Sequence, residues 1–201
     1  MKIIGITGGV GCGKSEVIRY IMKKYNCFVI FADDVAKQLQ QKGNLCYDRI
    51  VALLGKEILT LDGEIDKAKM AAKIFADEVL LESVNDIIHP AVYDYVKEKI
   101  AEYKKKNEID FFIIEAALLI ECGYGKIVNE MWYVYTADDL RRERLKSSRG
   151  YSDEKINQIF SSQLSYEEFK KASSFVLNNN GTVEDTQKQI DNKLEEYLCQ
   201  K

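Results

Sequence analysis

Gly8-Gly9-Val10-Gly11-Cys12-Gly13-Lys14-Ser15 stands between an apolar run, Lys2 to Thr7, and a segment whose Val17, Ile18, Ile21 and Met22 share one helical face. Few short stretches restrict a fold more. An apolar run with strand character, a glycine-rich turn and an amphipathic helix in this order predict a strand–turn–helix unit. Four glycines within Gly8–Gly13 let the backbone take positive φ values, so that successive N–H groups line a concave anion nest. The helix that follows brings the positive end of its dipole to the same point. The spacing G-x-x-x-x-G-K-S places Lys14 to reach the β/γ-phosphates of a nucleotide and Ser15 to bind Mg²⁺. The alternative, a glycine turn with no phosphate, leaves Lys14 and Ser15 unexplained.

A chain of 201 residues suits one domain, or one core with an inserted subdomain. The net charge of −3 offers no general attraction to nucleic acid or an anionic membrane, so neither is an expected partner and any anion site is local. No apolar run approaches a membrane span, and no secretory leader is expected, because Met1 leads straight into strand character. Five cysteines without a C-x-x-C pair, beside a single histidine, argue against both a disulfide framework and a Cys/His zinc site. The expectation is a cytoplasmic protein with reduced thiols, monomeric or weakly self-associating.

Strands are predicted at 2–7, 27–31, 110–115, 131–136 and 174–177, separated by helical patterns, which indicates a parallel sheet covered on both faces. Between the second and third strands lie nearly eighty residues of mostly helical periodicity, too many for a simple crossover. They predict an inserted helical subdomain, a place where phosphate-loop cores hold a second substrate. Pro90, the single proline, is read as the first position of a long helix ending at Lys106, with His89 capping it, packing in the core or facing the acceptor pocket.

Ligands of an open α/β sheet sit at the carboxyl ends of strands. Asp33 and Asp34 follow the second strand, Glu115 ends the third and Glu121 lies just beyond. Asp33 is the candidate for orienting or deprotonating an acceptor hydroxyl, on the expectation that the second strand neighbours the first. One of the two aspartates is expected to cap the helix Val35–Gln41. Glu115, closing an apolar strand, is read as a magnesium-side carboxylate, with a salt bridge to Lys14 as the competing reading. Of six arginines, Arg141, Arg142, Arg144 and Arg149 lie within nine residues. A guanidinium grips phosphate oxygens with two parallel donors. Arg144 and Arg149 are expected to act from a closing lid that excludes water, whereas Arg141 and Arg142 are read as a solvated helical face.

Together these segments resemble the dephospho-coenzyme A kinases over nearly the full length. The resemblance rests on Ile6–Ser15, Ala32-Asp33, Leu54-Gly55, Asp62–Asp66, Ile74-Phe75 and Ile88–Val92. It continues through Leu118–Glu121, Arg144-Leu145 with Arg149, Gln163 and Asn179–Gly181. It implies an α/β fold: a three-layer phosphate-loop NTPase/kinase core with a five-stranded parallel sheet, a helical substrate-binding insertion near 59–107 and a helical lid near 141–165. Residues 1–58 and 108–201 would form the nucleotide-binding core. The implied reaction moves the γ-phosphoryl group of ATP, with Mg²⁺, to the ribose 3′-hydroxyl of dephospho-CoA. Asp33, Lys14, Arg144 and Arg149 would be catalytic, and Ser15 and Glu115 would face the metal. Gly8, Gly9, Val10, Gly11, Cys12, Gly13, Lys14, Ser15 and Glu16, with Asn179 and Gly181, would hold ATP. Asp33, His89, Leu118 and Glu121 would hold the acceptor. Departures from the family pattern are Glu16 for Thr, Phe31 for an acid, Glu115 for Asp, Ala117 for Pro, Lys67 for Arg, Arg141 for Gln and Asn178 for an acid. The Arg144–Arg149 interval is also one residue longer. Two rival readings are another nucleoside or small-molecule kinase on the same scaffold, and an ATP-binding regulatory protein with weakened catalysis.

Overall fold

The structure is a computed structural model and describes residues 1–199. In chain order the elements are β1 (Lys2–Thr7), α1 (Lys14–Lys24), β2 (Cys27–Phe31), α2 (Ala32–Leu39), α3 (Tyr47–Leu54), α4 (Lys67–Phe75) and α5 (Glu78–Lys106). They continue with β3 (Phe111–Glu115), β4 (Glu130–Tyr135), α6 (Asp138–Arg149), α7 (Asp153–Ser161), α8 (Tyr166–Ala172), β5 (Phe175–Asn178) and α9 (Val183–Leu198). The chain divides into two compact units, one of residues 1–30 with the chain from Tyr103 onward, the other Phe31–Glu102.

The first unit is built on a five-stranded sheet in the order β2-β3-β1-β4-β5. β1 pairs in parallel with β3 and β4, and β4 pairs in parallel with β5. Helices cover both faces, so the central strands are apolar throughout rather than alternating. Ile3, Ile4, Ile6, the whole run Phe111–Ile114 and Met131–Val134 are buried, with Trp132 at 0 % exposure. α1 buries Val17, Ile18 and Ile21, and α9 buries Thr186, Ile190 and Leu194 at successive turns. One carboxylate joins these two helices: Asp191 accepts from the Tyr20 hydroxyl at 2.8 Å and the Tyr25 hydroxyl at 2.6 Å, and pairs with Lys24 at 2.8 Å. A capping box at Thr182 and Asp185 starts α9.

Two expectations about this unit change. β2 neighbours β3, not β1, so the strand that leads to Asp33 is separated from the phosphate-loop strand by a third. The α1 crossover skips the place beside β1, which β3 then fills. As a result the connection after β1 leaves on one side and the connection after β3 on the other, putting the topological switch point between β1 and β3. The run Ser147–Ser152, whose residues suggest a flexible segment between two helices, instead begins with the last turn of α6, which ends at Gly150 with φ of 63°.

In the second unit α2, α3, α4 and most of α5 bury Ile50, Leu54, Ile58, Val84, Ile87, Ile88, Val92 and Val96. A turn over Thr60–Gly63 is closed by the antiparallel bridge between Leu59 and Ile65. Asp66 then caps α4 by accepting from the N–H groups of Ala68 and Lys69. Two further expectations change here. α2 begins at Ala32, so neither aspartate caps it: both lie in its first turn, and Asp34 pairs with Lys37 at 2.6 Å. Pro90 does not start a helix but lies inside α5. An interior proline forfeits one backbone hydrogen bond and costs roughly 3 kcal/mol. The stripe Val84, Ile87, Ile88, Ala91, Val92, Val96 and Ile100 is buried on both sides of it, and that burial carries the helix through.

Candidate phosphate-binding site

Residues 8–13 leave β1 at the switch point. Gly8, Gly11 and Gly13 have φ of 147°, 84° and 94°, values that side-chain-bearing residues rarely adopt. The space beside these glycines is also taken. A methyl group at Gly8 would lie 2.6 Å from the Val134 carbonyl oxygen, and the amide of Asn179 fills the equivalent position at Gly13.

Four of the loop's carbonyl groups, whose sign is wrong for an anion, are held by donors from within the loop and beyond it. Gly8 O accepts from Lys14 Nζ at 2.7 Å, and Gly9 O accepts from the Cys12 N–H at 3.2 Å. Val10 O accepts from Arg141 Nε at 3.0 Å. Cys12 O accepts from Thr136 Oγ1 at 3.0 Å and Asn179 Nδ2 at 2.8 Å. Among the described residues the amides of Gly11, Gly13 and Ser15 donate to nothing, the last because the first turn of a helix has no internal acceptor for it, while the Lys14 N–H meets the Cys12 thiol. These three unengaged N–H groups around a helix start form an anion cradle.

Glu115 ends β3 in register with Ile6 of β1, and its carboxylate lies 3.8 Å from Lys14 Nζ. The ion pair considered as the competing reading is therefore present. Magnesium keeps several waters and needs one or two protein oxygens besides phosphate. The Ser15 hydroxyl and the Glu115 carboxylate are hard oxygen donors of that kind, so the donor set fits, whereas no cluster of three metal-ligating His, Cys, Asp or Glu side chains occurs among the described residues. Cys12 is 1 % exposed, and its thiol pKa is raised by burial, which keeps it neutral. Glu16 is exposed and pairs with Arg19 at 2.5 Å, so its charge is met locally.

The arginines divide differently from the expectation. Arg144 donates to Asn179 O at 3.1 Å and Thr136 Oγ1 at 3.4 Å, beside Gly13. Arg149 is exposed, its guanidinium 5.9 Å from the Tyr151 ring. Arg141, read as solvated, has a side chain only 11 % exposed and lies directly on the loop. The i,i+3 pair with Asp138 exists at 2.8 Å, but the rest of the guanidinium faces inward. Arg142 bridges to α7 through Asp153 at 2.9 Å and Asn157 at 2.7 Å. Sequence reasoning also missed Thr136 as a loop anchor. Arg141 falls three positions before Arg144 on the same helical face, and that spacing was the available signal.

Asn179 ties three segments: its side chain donates to Cys12 and accepts from Thr186 at 2.9 Å, and its own N–H donates to Tyr135 O. Gly181 follows it at the surface. Leu118 is 46 % exposed and Glu121 is exposed, both in the turn after β3. In the second unit Asp33 is exposed and accepts no hydrogen bond among the described residues, and His89 is half-buried in α5 beside Pro90.

The family model for dephospho-CoA kinase matches residues 2–185. The chain is 36 % identical over 196 residues to the dephospho-CoA kinase of Aquifex aeolicus, covering 98 % of this chain and 97 % of that one. It is 34 % identical over 190 residues to the enzyme of Carboxydothermus hydrogenoformans, covering 94 % and 91 %. Among solved structures, TT1252 from Thermus thermophilus superposes with a TM-score of 0.80 at 26 % identity, covering 97 % of both chains. The dephospho-CoA kinase of Campylobacter jejuni has the same fold, with a TM-score of 0.72 at 21 % identity and coverage of 98 % and 97 %. The chain belongs to the dephospho-CoA kinase family.

Proposed function

We propose that this protein phosphorylates the ribose 3′-hydroxyl of dephospho-CoA with ATP, completing coenzyme A. The observation that carries the reading is the loop in which Gly8, Gly9, Val10 and Cys12 turn their carbonyls to donors while the amides of Gly11, Gly13 and Ser15 stay unengaged. Such a cradle binds the β- and γ-phosphates, and Lys14 adds an ammonium that neutralises charge on the group in transfer. Ser15 and Glu115 would hold Mg²⁺, which would offset negative charge on the phosphates.

Asp33 would orient the acceptor hydroxyl and take its proton. Its carboxylate is exposed and accepts no hydrogen bond among the described residues, as a general base requires before substrate arrives. Arg144 and Arg149 would act on the phosphates from the helical segment 141–165, serving as a lid. Asn179 and Gly181 would border the ATP base, with Glu16 at the edge of the loop. His89, Leu118 and Glu121 would contact the acceptor, held by the insertion near 59–107. No helix among the described residues is long and apolar enough to cross a membrane. A cytoplasmic protein that is monomeric or weakly self-associating, binding neither nucleic acid nor membrane, fits the reading.

The test is ADP release with and without dephospho-CoA. Acceptor-dependent release is expected, and Asp33→Asn should lower kcat about 10²- to 10⁴-fold while calorimetric binding of Mg-ATP persists. Release that responds to a nucleoside or shikimate but not to dephospho-CoA would favour the other-kinase reading. Mg-ATP binding with no acceptor-dependent turnover would favour the regulatory one.

A further inference from the structure

Val10 is the one residue of the loop whose N–H and carbonyl are both held by side chains from elsewhere. Its carbonyl accepts from Arg141 Nε at 3.0 Å, and its N–H donates to Gln163 Oε1 at 3.3 Å. Arg141 Nη2 donates to that same Gln163 oxygen at 2.6 Å, which closes a ring of three hydrogen bonds. The guanidinium is fixed on its remaining sides too: Nη1 donates to Asp138 at 2.8 Å, and the Phe160 ring of α7 lies 4.1 Å away. A methyl group at Gly9 would meet Arg141 Cζ at 2.6 Å and Gln163 Oε1 at 2.8 Å, so the ring lies flat against the loop.

We propose that Arg141 and Gln163 are positioning residues that clip the Val10 peptide, join the phosphate loop to the segment after α7, and set the loop's affinity for a nucleoside triphosphate. The proposal rests on the nucleotide-binding reading above. A trans peptide points its carbonyl and the next N–H in opposite directions. Holding Val10 O against Arg141 therefore fixes the direction of the Gly11 N–H, one of the three unengaged amides. Gly9 and Gly11 on either side have the widest backbone freedom of any residue type, so without the clip this amide is not held in one orientation. Arg141 also needs its planar fork: one edge serves Val10 and Gln163 together, which an ammonium cannot reproduce with the same geometry. Gln163 contributes as a common acceptor, aligning the fork and the Val10 N–H on a single oxygen.

Calorimetry of Mg-ATP without acceptor tests the clip in Arg141→Ala, Arg141→Lys, Gln163→Ala and the double alanine variant, with thermal midpoints measured alongside. About tenfold weaker binding is expected in each single variant, the size of one lost hydrogen bond to a charged group. The double variant should lose little more than either single one, because both changes open the same ring. In the ADP-release assay KM for ATP should rise while KM for dephospho-CoA stays within about twofold. Variants that lower the thermal midpoint yet bind Mg-ATP within twofold of the unaltered protein would overturn the proposal, as would full affinity in Arg141→Lys, which would reduce the effect to charge. Gln163→Ala leaves the chain's charge unchanged and decides the question if Arg141→Ala fails to fold. An unaltered protein that binds Mg-ATP but phosphorylates no dephospho-CoA would overturn the acceptor assignment alone. One that binds no Mg-ATP overturns both.

Discussion

Lys14 has two oxygen partners within its own loop region, Gly8 O at 2.7 Å and the Glu115 carboxylate at 3.8 Å. A triphosphate in the cradle would compete with both for the ammonium. Lys14→Ala removes a charge-assisted hydrogen bond worth about 1.5–3 kcal/mol, so Mg-ATP should bind roughly 10- to 100-fold more weakly by calorimetry. The same change leaves Glu115 without this cation at the end of β3, so a modest fall in thermal midpoint should accompany it. An affinity within twofold of the unaltered protein would remove Lys14 from the phosphate site. Lys14 and the positive-φ glycines were readable from residue order alone, because their conformations and reach are set by the chain next to them. Arg141 was not. Its partners Val10 and Gln163 lie 131 and 22 residues away, and only the folded chain shows that this arginine turns most of its side chain away from solvent.

Among the elements, α1 and α9 are joined by a single carboxylate with three donors. Burial acts to raise the Asp191 pKa, but hydrogen bonds from Lys24, Tyr25 and Tyr20 outweigh it and hold it below the ordinary carboxylate value. A carboxyl with a lowered folded-state pKa contributes stability that is fully present above its unfolded value and is lost as pH falls through the folded one. Asp191→Asn should therefore lower the unfolding free energy at neutral pH by about 1 kcal/mol, and the difference from the unaltered protein should shrink below about pH 4. A difference constant from pH 7 to pH 3 would show that the carboxylate's charge is not what joins the helices. The same scale shows why helix boundaries were partly hidden. Ser152 and Thr182 mark their helices by side-chain caps that any reader of the sequence can find. Pro90 carries the opposite local signal, and the buried stripe running past it on both sides decides the outcome. That stripe is visible in the sequence, but the weight to give it against one proline depends on how much of it the fold buries.

For the whole molecule, the proposed reading puts the two substrates on different stretches of chain, one in each compact unit. The phosphate loop with its anchors Thr136, Arg141 and Asn179 belongs to the first unit, and Asp33 and His89 belong to Phe31–Glu102. Hydrogen exchange should then separate the ligands: Mg-ATP should protect amides of the loop and α1, and dephospho-CoA should protect amides within 31–102. At ligand concentrations near 100 times Kd each should add about 2.7 kcal/mol to stability. Dephospho-CoA protection confined to the first unit would count against an acceptor site in the insertion.

The sequence alone determined the strand–turn–helix unit, the α/β class, the helical character of the long insertion and the family, because each depends on periodicity or on residues adjacent in the chain. The tertiary structure alone decided that β3 lies between β1 and β2, that α5 continues through Pro90, and that Arg141 rather than Arg149 touches the loop. The physical reason is the same in all three. Strand order, the burial that outweighs a helix breaker, and the partner of a long cationic side chain all depend on which distant segments come together, and local preference carries no information about that.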